Sequence, residues 1–244
     1  MTQKSESAQK KERNTAAIIK WISAYTAELR AEATLPAKFE RLLKSFPLDK
    51  MFKDKRVAIK IHVGSNLGYT TIHPVFVRIL VNSIKEAGGK PFITDGIFDS
   101  NQAVMRGYTE QVLGCPVYPA AGIANKHYYT KEINYRNLTT LEICGNIVEA
   151  DAMIVFSHGK GHGHSGFGGA LKNIAMGCVS GESRGMIHRL MAAEFKWDQE
   201  KCTHCYLCRD NCPSGAINFN AEGKMEINDH HCHYRTNRRD SMPV

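Results

Sequence analysis

At 244 residues, 43% hydrophobic and 23% charged, the chain has the make-up of a globular protein with one substantial core, alone or with a small module attached. Its formal charge of +8 is scattered, and the basic runs at the two ends (Lys4, Lys10, Lys11 and Arg13; Arg235, Arg238 and Arg239) read as solvated tails rather than a nucleic-acid surface, since no nucleic-acid signature accompanies them. No N-terminal stretch is apolar enough for a signal peptide and none elsewhere is long enough for a membrane span, which predicts a cytoplasmic protein; there thiols stay reduced, and eight cysteines argue for metal or catalysis before disulfides.

Taken in chain order, Ile18, Trp21, Ile22, Tyr25 and Leu29 recur at helical spacing and predict an amphipathic helix over residues 14–34, broken by Pro36. Phe39, Leu42, Leu43 and Phe46 predict a second, short helix. In "RVAIKIHVG", Val57, Ile59, Ile61 and Val63 alternate as a strand does. The loop "GSNLGYTTIH" leads to Pro74, suited to a first helical position, and the helix runs to a stop at Gly88–Gly89. "KPFITDG" is then a strand, which makes a strand–helix–strand unit and predicts parallel pairing. Residues 100–140 read as a short helix with brief strands around Val117 and Ile133. "DAMIVFS" is a further strand, followed by a glycine–histidine loop and a helix from about Ala170 through Gly177. The fold class expected is α/β: a mostly parallel sheet with flanking helices, plus a small C-terminal α+β module. The expected divisions are an N-terminal helical segment over 1–50, an α/β domain over 51–195, and a cysteine-rich module over 196–244.

Two places carry chemistry. In "SHGKGHGHSGFGGALKN", Ser157 to Asn173, six glycines allow a ligand close to the backbone, while His158, His162, His164, Lys160 and Lys172 supply donors. A strand-to-helix turn lies at the sheet edge where open α/β sheets bind ligands, with a helix N-terminus to favour anions. Lys60 and His62 share one face of a strand that should be apolar on both, which also points to a ligand. The catalytic candidates are therefore Lys60, His62, Lys160, His162, His164 and Lys172. His162 and His164 lack the helical spacing of a zinc site, and Asp95 reads equally well as the cap of a turn.

The second place is "KCTHCYLCRDNCP". Cys202, Cys205, Cys208 and Cys212, followed by Pro213, match the C-x-x-C-x-x-C-x-x-x-C-P run of bacterial ferredoxins, in which the fourth cysteine serves a second cluster. Shifted by thirty positions, Cys202 maps to Cys232 and Pro213 to Pro243, whereas the other ligand positions carry Arg235, Arg238 and Met242. One cluster is expected on Cys202, Cys205, Cys208 and Cys212, in a four-iron form or a three-iron form, with Cys232 or a histidine of "DHHCH" as a further candidate ligand. Cys115, Cys144 and Cys178 read as small buried apolar groups, with Cys178 in reserve as a ligand.

These segments ("VAIKIHVG", "VFVRILVNSIKEAGGKPFITD", "ADAMIVFSHGKGH", "GFGGALKNIAMGC" and the cysteine run) resemble the iron–sulfur proteins catalogued as domain of unknown function 362, over roughly residues 35 to 232. The resemblance implies a ferredoxin-type 4Fe-4S module attached to an α/β domain, and supplies no substrate. Similar proteins carry a complete second cysteine run and a longer chain. The leading expectation is an iron–sulfur protein with an electron-transfer or oxidoreductase role, partnered by a redox protein or a small anionic ligand, without nucleic acid or membrane. The alternatives are a non-redox binding domain or enzyme for a small anion with a structural cluster, and a truncated, inactive family member.

Overall fold

The computed structural model describes residues 17–64, 70–96, 100–136, 138–162, 166–190 and 197–228. Helices Leu35–Lys44 (α1) and Leu48–Phe52 (α2) precede the first strand, Arg56–Lys60 (β1), buried without interruption from Val57 to Lys60. Pro74–Glu86 (α3) follows; His73 caps it, Pro74 opens it, and Gly88, at φ +78°, turns the chain away beyond it. Lys90–Asp95 (β2) returns parallel to β1, with Arg56 opposite Lys90 and Lys60 opposite Thr94.

Short helices Ser100–Met105 (α4) and Glu110–Leu113 (α5) lead to Val117–Pro119 (β3), parallel to β2. An antiparallel hairpin, Tyr128–Tyr135 (β4) and Leu138–Cys144 (β5), and a turn of helix, Gly145–Val148 (α6), come next. The chain then crosses to the far side of β1 as Ala152–Val155 (β6), again parallel. The sheet order is β3-β2-β1-β6, all parallel. An antiparallel ribbon, Lys160–His162 (β7) and Gly166–Gly168 (β8), runs into helices Ala170–Gly177 (α7) and Gly181–Leu190 (α8). The described chain ends in a short helix, Leu207–Asp210 (α9), and an antiparallel pair, Ile217–Phe219 (β9) and Met225–Ile227 (β10).

The sheet is held by one apolar seam. Val77, Leu80, Val81 and Ile84 of α3 pack into the cluster that holds Val57, Ile59, Ile61 and Val63. Each such side chain contributes roughly 1.5–3 kcal/mol on burial, so Ile84→Ala would open a cavity in the main stabilising contact. Phe39 of α1 extends the seam by stacking on Phe156, ring centres 5.5 Å apart.

The N-terminal helix is a correction. Residues 17–30 are not helical; a single 3-10 turn at Ala31–Ala33 follows them. Ile18, Trp21, Tyr25 and Leu29 stay exposed, and a periodic apolar stripe stabilises a helix only when something buries it. Pro36 does not break a helix but sits in the first turn of α1, with Thr34 accepting from the Ala37 N–H at 3.5 Å. Within the glycine–histidine segment, Lys160–His162 and Gly166–Gly168 pair as antiparallel strands where a loop was expected, and β5 is a strand the sequence signals did not indicate. Among the described residues no helix is long and apolar enough to cross a membrane.

Candidate functional site

Because β2 and β6 flank β1 on opposite sides, the connections leaving their carboxyl ends diverge and open a crevice above β1. The residues at those ends are Lys60, Asp95 and Val155, and Lys60 faces away from the α3 seam. A lysine there is costly unless paired. Its side chain is fully buried, and its Nζ donates to Asp95 Oδ1 at 2.8 Å, Asn173 Oδ1 at 2.5 Å and the Ile61 carbonyl at 2.8 Å. All three ammonium hydrogens are thereby used.

Asp95, 2% exposed, is equally saturated. Its Oδ1 also accepts from the Gly96 N–H at 2.8 Å, and its Oδ2 accepts from the Val63 N–H at 3.1 Å and faces His62 Nδ1 at 3.4 Å. Burial alone would push this carboxyl up, but the His62 hydrogen bond and the Lys60 charge outweigh it and hold the carboxyl below its ordinary 3.8. Asn173, in the first turn of α7, ties the strands to the helix: its Nδ2 donates to the Lys60 carbonyl at 3.2 Å and to Ser157 Oγ at 2.8 Å. Glycine permits the approach. A Cβ on Gly177 would lie 2.5 Å from Lys60 Nζ, and one on Gly96 would lie 2.4 Å from the Gly177 carbonyl oxygen.

Above this layer is a cleft of about 290 Å³. Lys160, Lys172 and Arg184 line it, together with the imidazoles of His62, His158, His162 and His188. Asp95 is the only acidic residue lining it among the described residues, and Lys60 already balances its charge. Burial, then the nearby charge of Lys160, depresses the Lys172 ammonium; burial, Lys160 and His62 do the same to His158. Lys172 Nζ contacts His162 Nε2, and His158 Nε2 is buried with no hydrogen-bond partner. Arg184 is held by the Met176 carbonyl, which accepts from its Nε at 2.8 Å. Burial lowers its guanidinium, opposed chiefly by Asp95.

Of the residues singled out in the sequence, His62, Lys160, His162 and Lys172 line one cleft, and Lys60 lies directly beneath it. His164 lies outside the described residues. Asn173, Ser157 and Arg184 were not singled out in the sequence, and Asp95 was weighed there only as the cap of a turn. Asp95 carried one signal, an acid at a strand end next to glycine, but only the fold shows that it meets Lys60. Cys115, Cys144 and Cys178 are buried, and burial pushes the first two thiols up to about 11 and about 12.

The cysteine run, with α9 inside it, lies between α8 and the β9–β10 pair in the chain. Cys205 is exposed and Cys202, Cys208 and Cys212 half-buried, and Cys232 lies outside the described residues. Phe219 of β9 packs edge-on against Tyr206, ring centres 5.0 Å apart. His204 and Tyr206 hold positive φ, +53° and +58°, a conformation rarely adopted by bulky residues that recurs where backbone N–H groups must converge. Burial would raise the Cys212 thiol, yet the Ser214 hydroxyl and the N–H groups of Ala216, Ser214 and Ile217 bring it down to about 6. The Leu207 N–H and the Thr203 side chain lower Cys205. Among the described residues no three His, Cys, Asp or Glu side chains converge closely enough to hold a single metal ion.

One solved structure with a similar course of chain is that of the lactate racemase apoprotein from Thermoanaerobacterium thermosaccharolyticum. It matches with a TM-score of 0.43 and 16% identity over 62% of this chain, which spans 39% of that protein. None of the curated proteins compared with the chain matches it. The family described as Domain of unknown function (DUF362) matches residues 57–229, a stretch that takes in β1, the cleft and the cysteine run, and the chain belongs to that family.

Proposed function

We propose that the cleft binds a small anionic ligand and that the cysteine run carries an iron–sulfur cluster, giving a cytoplasmic redox protein. The observation that carries the first part is charge balance. Lys160, Lys172 and Arg184 face one cavity whose only acid, among the described residues, is already paired with Lys60. The depressed Lys172 ammonium is what burial beside a second cation produces, and an anion between them relieves it. A cavity near 290 Å³ is at the small end for ligand sites and suits a metabolite-sized carboxylate or phosphate. Calorimetry of the full chain with inorganic phosphate and with a small carboxylate tests this. Binding that weakens tenfold or more in Lys172→Ala supports it, since a hydrogen bond to a charged group is worth about 1.5–3 kcal/mol. Equal binding by the variant, or none by the parent, rejects it.

The cluster rests on the spacing of Cys202, Cys205, Cys208 and Cys212, and on backbone donors aimed at sulfur, the Ala216 N–H reaching Cys212 Sγ at 3.3 Å. These four thiolates would hold one 4Fe-4S cluster, which supplies one-electron transfer when bound; the N–H groups around Cys205 and Cys212 would stabilise the charge on sulfur and tune the potential. Iron and sulfide content after anaerobic reconstitution tests it. About four irons per chain means that Cys212, Cys232 or a histidine completes the set with Cys202, Cys205 and Cys208, about three assigns those three cysteines alone, and none removes the cluster. If the two parts are coupled, reducing the cluster changes anion affinity; unchanged affinity gives the cluster a structural role.

A further inference from the structure

We propose that His62 is the proton acceptor of the cleft, oriented by Asp95, so that the site does chemistry on its anion and does not merely hold it. The inference deepens the anion-binding reading and rests on it. Asp95 cannot turn to suit His62: Lys60 and the Gly96 N–H fix Oδ1, and the Val63 N–H fixes Oδ2. An ionised carboxylate only accepts, so the His62 nitrogen facing it, Nδ1 at 3.4 Å, carries the proton. That leaves the lone pair on Nε2, in a ring that lines the cleft beside Lys160 and Lys172. Burial differs between the partners in the sense such a pair requires. Asp95 is sealed at 2% exposure, whereas the His62 side chain is 35% exposed and open to a ligand.

The fit is to a small anion that bears an acidic O–H or C–H next to its charged group. That O–H or C–H bond breaks, the proton forms a new N–H bond at Nε2, and the electron pair stays on the ligand oxygen or carbon. Lys160, Lys172 and Arg184 meet the added negative charge, while Asp95 stabilises the imidazolium. No oxidant or second reactant is needed. Asp95 is a positioning residue and His62 the catalytic one.

The test is imidazole nitrogen spectroscopy of the 15N-labelled full chain under mildly alkaline conditions, with His62→Gln used to assign the signals. The expected result is a protonated Nδ1 and an unprotonated Nε2 at His62, reverting toward the opposite tautomer in Asp95→Asn. Inorganic phosphate, an anion that itself carries an O–H, then shifts the Nε2 signal of the parent toward the protonated range. A proton on Nε2 in the ligand-free parent overturns the proposal. So does an Nε2 signal that phosphate leaves unmoved while calorimetry records phosphate bound. If calorimetry records no phosphate or carboxylate binding although the tautomer is as expected, it is the anion-binding reading that has failed; Asp95 and His62 are then a packing contact, and the proton-acceptor role falls with it.

Discussion

Replacing Lys60 with methionine keeps most of the side chain's bulk and removes its charge. In the folded protein Nζ is fully buried and bonded to Asp95, Asn173 and the Ile61 carbonyl, so the substitution strands an ionised carboxylate that is 2% exposed. Removing one partner of a buried ion pair costs about 3–5 kcal/mol, because the other charge loses its compensation. For a domain of this size that lowers the melting temperature by roughly 6–20 °C. Urea denaturation of the parent, Lys60→Met, Asp95→Asn and the double variant measures the cycle. The double variant should be less destabilised than the sum of the singles, since the neutral amide that replaces the Asp95 carboxylate leaves no charge stranded. A loss below about 1 kcal/mol in Lys60→Met, or additive singles, would mean that Lys60 and Asp95 do not form one buried unit.

Stability should also respond to acid through Asp95. Its carboxyl titrates below 3.8 in the folded protein, so its contribution is fully present above that value and is lost as pH falls through the folded-state value; acid titration of the parent against Asp95→Asn should show the parent's extra loss confined to that range. Gly177→Ala places a methyl 2.5 Å from Lys60 Nζ and 3.3 Å from Asp95 Oδ1, and should cost about 1–3 kcal/mol by urea denaturation, with weaker anion binding by calorimetry. Asn173→Ala removes the acceptor for Lys60 and the donor to Ser157; hydrogen exchange should show faster opening at residues 157–162 than in the parent, with a stability loss of about 1–3 kcal/mol.

The parallel sheet was legible because its signals are local. Alternation at Val57–Val63, Pro74 at a helix start and Gly88 at its stop each act within a few residues, and α3, β2 and α7 lie where those signals placed them. The candidate site was half legible for the same reason. Lysine and histidine are conspicuous on a strand face or in a glycine-rich segment, so His62, Lys160, His162 and Lys172 stood out. Asp95 and Asn173 did not, because each matters only through a partner 35 or 113 residues away in sequence. The helix expected over 14–34 failed where periodicity always can: Trp21 and Leu29 have the right spacing, but nothing in the described chain covers them.

The most direct test of the proposal that the cleft binds anions is anomalous diffraction from crystals of the full chain grown with selenate, a tetrahedral anion that selenium makes locatable. An anomalous peak is expected inside the cleft, within hydrogen-bonding reach of Lys160, Lys172 or Arg184, and absent from crystals of Lys172→Ala. A cleft that stays empty at selenate concentrations that fill other surface sites would contradict it.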